Sequence, residues 1–125
     1  MSQTKPEVVL PDGEPDGAAL RTEDLIVGTG TEATPGTRVE VHYVGVSWNT
    51  RQQFDASWDR NDTFRFKLGG GQVIPGWDQG VAGMKEGGRR QLVIPPALAY
   101  GSSGAGGVIG PNEHLVFVVD LISVS

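Results

Sequence analysis

Three turn-forming runs follow one another in the second half of the chain: Val73-Ile74-Pro75-Gly76-Trp77, Gly83-Met84-Lys85-Glu86-Gly87-Gly88 and Ile94-Pro95-Pro96-Ala97-Leu98-Ala99-Tyr100-Gly101. Proline fixes φ and removes a backbone donor, and glycine supplies turn conformations, so little regular structure fits between these runs. One segment among them has helical spacing: Trp77, Val81 and Met84 lie at i, i+4 and i+7, with Pro75 near the start, where a missing N–H costs little. The pattern predicts a helix that ends at Gly87-Gly88, a left-handed stop. Gly80 and Gly83 weaken it by roughly 1 kcal/mol each relative to alanine, which points to close approach of the helix to another layer.

The rest of the pattern is that of strands. From Leu20, Leu25 and Val27 alternate, Thr29-Gly30 and Pro35-Gly36 make turns, and Val39, Val41 and Tyr43 point to one face with Arg38, Glu40 and His42 on the other. Phe64, Phe66 and Leu68 repeat the period, as do Leu115, Phe117, Val119 and Leu121. In the last run Val116, Val118 and Ile122 are apolar as well, so that strand is expected to be covered on both faces and central in its sheet. Antiparallel strands with one short helix define an α+β fold.

At 125 residues there is room for one domain, and 38% hydrophobic with 20% charged residues allows a modest core in a soluble chain. The absence of cysteine removes disulfides and thiolate chemistry and fits a reducing, cytoplasmic setting. His42 and His114 lack the paired spacing of a zinc site, so no metal and no cofactor is expected. No N-terminal run is apolar enough for a secretory segment, and no run is long enough for a membrane span.

Charge marks a boundary. Residues 1–24 hold six acids against two bases, whereas the rest of the chain holds nine acids and eight bases. The domain has no basic stripe of the kind that neutralises phosphates, so nucleic acid is not an expected partner. Pro6, Pro11, Gly13, Pro15 and Gly17 break up the acidic stretch, so residues 1–18 read as a flexible arm, a solvating extension rather than an interaction tail, ahead of a domain at 19–125. Gly69-Gly70-Gly71 and the run from Gly101 to Gly107 lack the lysine and the strand–loop–helix setting of a phosphate cradle; a tight turn and a mobile flap are expected instead. Trp58, on a loop, reads equally as an exposed contact or as local packing.

Taken with Val41-His42-Tyr43-Val44-Gly45, Phe54-Asp55-Ala56-Ser57 and Leu115-Val116-Phe117, the three turn-forming runs make the chain closely similar to the FKBP-type peptidyl-prolyl cis-trans isomerases, the macrolide-binding immunophilins. The resemblance covers the chain from about Leu20 to its end. It implies a curved antiparallel sheet wrapped around one short helix and an apolar pocket that binds X-Pro peptides, unfolded proteins and macrolides. It places Trp77 at the floor, Tyr43, Phe64 and Phe117 in the walls with Phe54 beside them, Val73 and Ile74 on one rim, and Tyr100, Val108 and Ile109 on the other. It further implies that the Ile74 N–H and the Tyr100 hydroxyl donate to ligand carbonyls, and that Asp55 is held by Tyr43 and Arg60. On periodicity alone the aromatics among these read as ordinary core. Ala105-Gly106-Gly107 stands where relatives often carry a bulkier flap tip, and Gly110-Pro111 where many have two prolines, which implies a looser flap.

Such a pocket suits amide rotation. The barrier of about 18–20 kcal/mol reflects resonance that puts negative charge on the carbonyl oxygen. Twisting the bond removes that charge separation, so a dry site favours the twisted state without a nucleophile. A monomeric isomerase is the leading reading, with Asp55 orienting rather than transferring a proton. The runner-up is a non-catalytic module that docks proline motifs through the same residues.

Overall fold

The computed structural model describes residues 5, 6, 8, 10, 20–104, 109, 110 and 112–125. Six antiparallel strands form one sheet: β1 (Arg21–Ile26), β2 (Arg38–Ser47), β3 (Gln53–Ala56), β4 (Phe64–Lys67), β5 (Arg89–Ile94) and β6 (Leu115–Val124), with the order β1-β5-β6-β2-β3 and β4 also paired to β2. The long strand β6 lies between β5 and β2, and Val116 and Val118 are fully buried, so the strand that is apolar on both faces occupies the middle. β1 is an edge strand exposed along its whole length.

β2 forks its outer edge. Its first half, Arg38 to Val41, pairs with β4, and Val44 to Val46 pairs with β3. Tyr43 falls between the two ladders. A backbone donor there needs another acceptor, and Ser57 provides it: its Oγ accepts the Tyr43 N–H at 2.7 Å and lies 3.3 Å from the Tyr43 carbonyl. Ser57 opens the 3-10 turn Ser57–Arg60, which fills the gap between β3 and β4.

The helix α1 spans Pro75–Gly80, with Pro75 at its first position and Ile74 extended before it. It is shorter than the apolar period implies. Gly83 sits at φ +90°, a left-handed conformation that stops the helix, and its N–H bonds to the Ala33 carbonyl. Gly76 and Gly80 set the packing distance instead. A Cβ at Gly76 would lie 2.5 Å from Ile94 Cγ2, and one at Gly80 would lie 2.9 Å from Leu92 Cδ2, so the helix rests directly on β5. Asp78 points back from the helix and accepts the Gly69 and Gly71 N–H groups at 2.9 and 3.1 Å, which holds the glycine turn as a turn. The core between helix and sheet contains Val39, Val41, Tyr43, Phe66, Trp77, Val81, Leu92, Ile94, Phe117 and Leu121.

Candidate active site

At the fork of β2 a half-open cavity of about 200 Å³ is lined by Tyr43, Phe54, Asp55, Phe64, Gln72, Val73, Ile74, Trp77, Tyr100 and Phe117. Five elements and two loops contribute. Trp77 stands on the first turn of α1, buried, with its ring edge-on to Tyr43 (centroids 4.9 Å apart, 77°) and to Phe117 (5.2 Å, 88°), and 6.0 Å from Phe64. Phe54 meets Phe117 at 5.6 Å and 85°. These T-shaped contacts fix ring orientations and leave ring faces and edges as walls. The Trp77 Nε1–H is buried and has no acceptor among the described residues.

Gly45 explains why two phenylalanines can converge here. A Cβ at that position would lie 2.7 Å from both Phe117 Cε1 and Phe54 Cζ. The bare backbone of β2 is therefore the surface on which both rings pack, a role that alternation of apolar residues does not reveal.

The polar edge is a closed set of contacts. Tyr43 Oη donates to Asp55 Oδ2 at 2.6 Å, Arg60 Nη1 donates to Asp55 Oδ1, and Arg60 Nη2 donates to Tyr43 Oη at 2.8 Å. The Arg60 guanidinium also lies over the Tyr43 ring at 5.8 Å. Partial burial pushes the Asp55 carboxyl up, but the hydrogen bonds from Tyr43 and Arg60 and the Arg60 charge outweigh it and hold the carboxyl below its usual range. Burial first, then donation to Asp55, raises the Tyr43 hydroxyl. The Tyr100 hydroxyl is raised by burial and then by the Asp55 charge, so it stays protonated and able to donate.

Of the residues singled out in the sequence, Tyr43, Phe54, Asp55, Phe64, Val73, Ile74, Trp77, Tyr100 and Phe117 line this one cavity. Ile109 instead is buried in the main core and is not among the lining residues. Val108 lies outside the described residues. Phe64 does not face a closed core, because the cavity opens beside it and leaves it 37% exposed. Gln72 lines the cavity although nothing in the sequence pattern singled it out; a polar residue in a loop carries no periodic signal.

An aromatic box on a sheet-and-helix frame, with one clamped carboxylate and a tyrosine hydroxyl at its mouth, has the shape and polarity that suit a small apolar ring flanked by carbonyls. The family model for FKBP-type peptidyl-prolyl cis-trans isomerase matches residues 29–122, and the chain belongs to that family. It is 57% identical to the FK506-binding protein of Streptomyces anulatus, over 99% of this chain and all of that one. It is 53% identical to the probable FK506-binding protein of Corynebacterium glutamicum, over 95% and 98% of the two chains. Among solved structures, AtFKBP13 superposes with a TM-score of 0.78 at 39% identity, covering 85% of this chain and 93% of that one. FkpA from Escherichia coli superposes with a TM-score of 0.77 at 40% identity, covering 85% of this chain and 48% of that one.

Proposed function

We propose that the X-Pro amide of peptides and of unfolded proteins turns inside this cavity, with the prolyl ring on Trp77 between Tyr43, Phe64 and Phe117. The observation that carries the reading is the convergence of six aromatic side chains and one clamped carboxylate on about 200 Å³. Ground-state charge separation in the amide is stabilised by water, and the cavity withholds that hydration from the planar form more than from the twisted one. A thousandfold acceleration needs about 4 kcal/mol of such differential stabilisation. The Ile74 N–H and the Tyr100 hydroxyl hold substrate carbonyls, and Asp55 contributes a fixed negative field at the rim. No proton moves, so Asp55 needs orientation rather than a tuned pKa.

The relatives named for FK506 support a macrolide as a second ligand of the same cavity. Its volume is below the roughly 300–1,000 Å³ of a drug-sized site, so a macrolide would place one ring and its neighbouring carbonyls inside and leave the remainder on the rim. The protein is proposed to act as a cytoplasmic monomer, supported by a cysteine-free composition and a domain of nearly balanced charge. The apolar rim favours Leu-Pro and Phe-Pro over Glu-Pro and Asp-Pro, because an acidic residue before proline meets the Asp55 field. Turnover of a peptide series in an isomerase assay free of helper protease tests this; equal rates for Leu-Pro and Glu-Pro would remove the rim from the reading.

A further inference from the structure

Behind the cavity, the outer face of the sheet carries an apolar patch that strand pairing leaves uncovered. Val44 pairs with Val118 and Val46 with Val116 across β2 and β6. Directly opposed residues share a face, and alternation puts these four on the side away from Tyr43 and Phe117. Nevertheless Val44 and Val46 are only 3% and 7% exposed, and Val116 and Val118 are fully buried. Val8 and Leu10 pack against Val44, Val46 and Ala56 together with Trp58. Lys5 Nζ reaches Asp59 Oδ1 at 2.8 Å, a contact between residues 54 positions apart. Three described residues of the N-terminal stretch thus lie on the reverse of β2 and β3, directly behind the 3-10 turn Ser57–Arg60.

We propose that Lys5, Val8 and Leu10 form a strap that positions the Asp55 clamp of the cavity. Asp59 is held on one oxygen by Lys5 and on the other by Gln53 Nε2 at 2.8 Å. The next residue is Arg60, whose guanidinium binds both Asp55 and Tyr43. Val8, Leu10 and Trp58 pack together against the cluster of Val44, Val46 and Ala56; Ala56 and Trp58 flank Ser57, and Ser57 anchors the Tyr43 backbone. The Trp58 ring in turn stacks on His42 at 4.0 Å and 16°. Every member of the Asp55–Tyr43–Arg60 set is therefore attached to a turn that the strap braces from outside. The strap residues do not line the cavity; they act through Asp59 and Trp58 as positioning residues. The acidic stretch after them gives them no reason to sit here, whereas a turn with four residues and no backbone ladder of its own does need a brace.

The test uses the full chain. In the Val8→Asp/Leu10→Asp variant, the Asp55 carboxyl should titrate closer to an ordinary aspartate in carbon-detected NMR. Its kcat/KM on a Leu-Pro peptide should fall about tenfold, in line with the steep dependence of catalysis on geometry. Val8→Ile/Leu10→Met should behave as the parent. Lys5→Ala, an exposed change that cannot damage the core, should move the Asp55 titration in the same direction by a smaller amount. A double-Asp variant that melts lower but keeps the parent's Asp55 titration and turnover would make the strap merely structural and overturn the proposal. So would one that leaves melting, titration and turnover all unchanged. The Asp55 titration needs no turnover, so failure of the strap is separable from failure of the isomerase reading.

Discussion

Gly45→Ala should damage the cavity more than the fold. The added Cβ would lie 2.7 Å from Phe117 Cε1 and 2.7 Å from Phe54 Cζ, and 3.1 Å from Phe117 Cδ1, where carbon contacts sit near 3.5–4.0 Å. Each ring must retreat by about 1 Å, and packing blocks both from moving deeper into the core. Phe117 is buried against Trp77 and Tyr43, and Phe54 is locked edge-on against Phe117. Overpacking a close-fitted site costs about 1–3 kcal/mol, and replacing glycine by alanine in a strand returns about 0.5–1 kcal/mol of backbone entropy. The net loss is about 0–2.5 kcal/mol, with a central value of about 1.3 kcal/mol. With an unfolding entropy near 2.1 cal/mol/K per residue over roughly 100 residues, the central value lowers Tm by about 6 °C. Both displaced rings are cavity walls, so they move into the roughly 200 Å³ proposed to take the proline ring. Isomerase activity at 10 °C, where the variant is folded, should fall by more than tenfold. Phe54→Leu in the Gly45→Ala background should recover part of the lost Tm, because the shorter side chain releases the clash. Parent-like activity and Tm in Gly45→Ala would refute the idea that the glycine exists to seat these two rings.

Phe117→Ala removes the ring that touches three other aromatics and should cost about 3 kcal/mol, the low end of the usual range, because the void opens into a cavity that water can enter; urea titration reads it. Asp55→Ala should lower turnover with little change in melting, since the carboxylate is partly exposed, and full activity would reduce it to a turn residue. Asp55 and Asp120 should give opposite pH dependences. The folded-state pKa of Asp55 is lowered, so its stabilisation is complete above the unfolded value near 3.8 and is lost as pH falls through the folded value. Burial raises Asp120 despite its bond from Arg89, so stability falls as pH rises from about 3.8 through its folded value, and Asp120→Asn should flatten that slope in pH-dependent melts. Trp77 should report ligand entry by fluorescence, and a Trp48→Phe/Trp58→Phe variant should keep the signal because those two rings lie outside the cavity.

What alternation encodes was legible in the sequence: the inward faces of β2, β4 and β6, the central place of β6, and the aromatic set at the site all follow from period two and the family's motifs. The helix length was not. Period 3.6 continues through Val81 to Met84, but backbone conformation at Gly83 ends the helix earlier, and a glycine's φ has no signature in apolar spacing. The same limit hides the division of labour among glycines. Gly45, Gly76 and Gly80 are small because a side chain or another layer lies against them, whereas Gly83 is there for its conformation. Ser57 was visible only as part of a motif; its task of replacing a strand beside Tyr43 depends on β2 being forked, a tertiary fact. Ile109 entered through family likeness as a rim residue, and the structure buries it in the core. The contacts of Lys5, Val8 and Leu10 were equally hidden, because three residues in a proline-broken acidic stretch have no period to read.

The proposed function requires that this aromatic cavity itself rotate the X-Pro bond. Exchange NMR on a Leu-Pro peptide, with the protein at one-hundredth of the peptide concentration, reads it directly. The uncatalysed exchange takes tens of seconds. With the parent protein the cis and trans proline signals should exchange in well under a second, the rate should scale with protein concentration, and Phe117→Ala should lose most of it. Saturable peptide binding at Trp77 with exchange still at tens of seconds would contradict the claim and leave a module that holds proline without turning it.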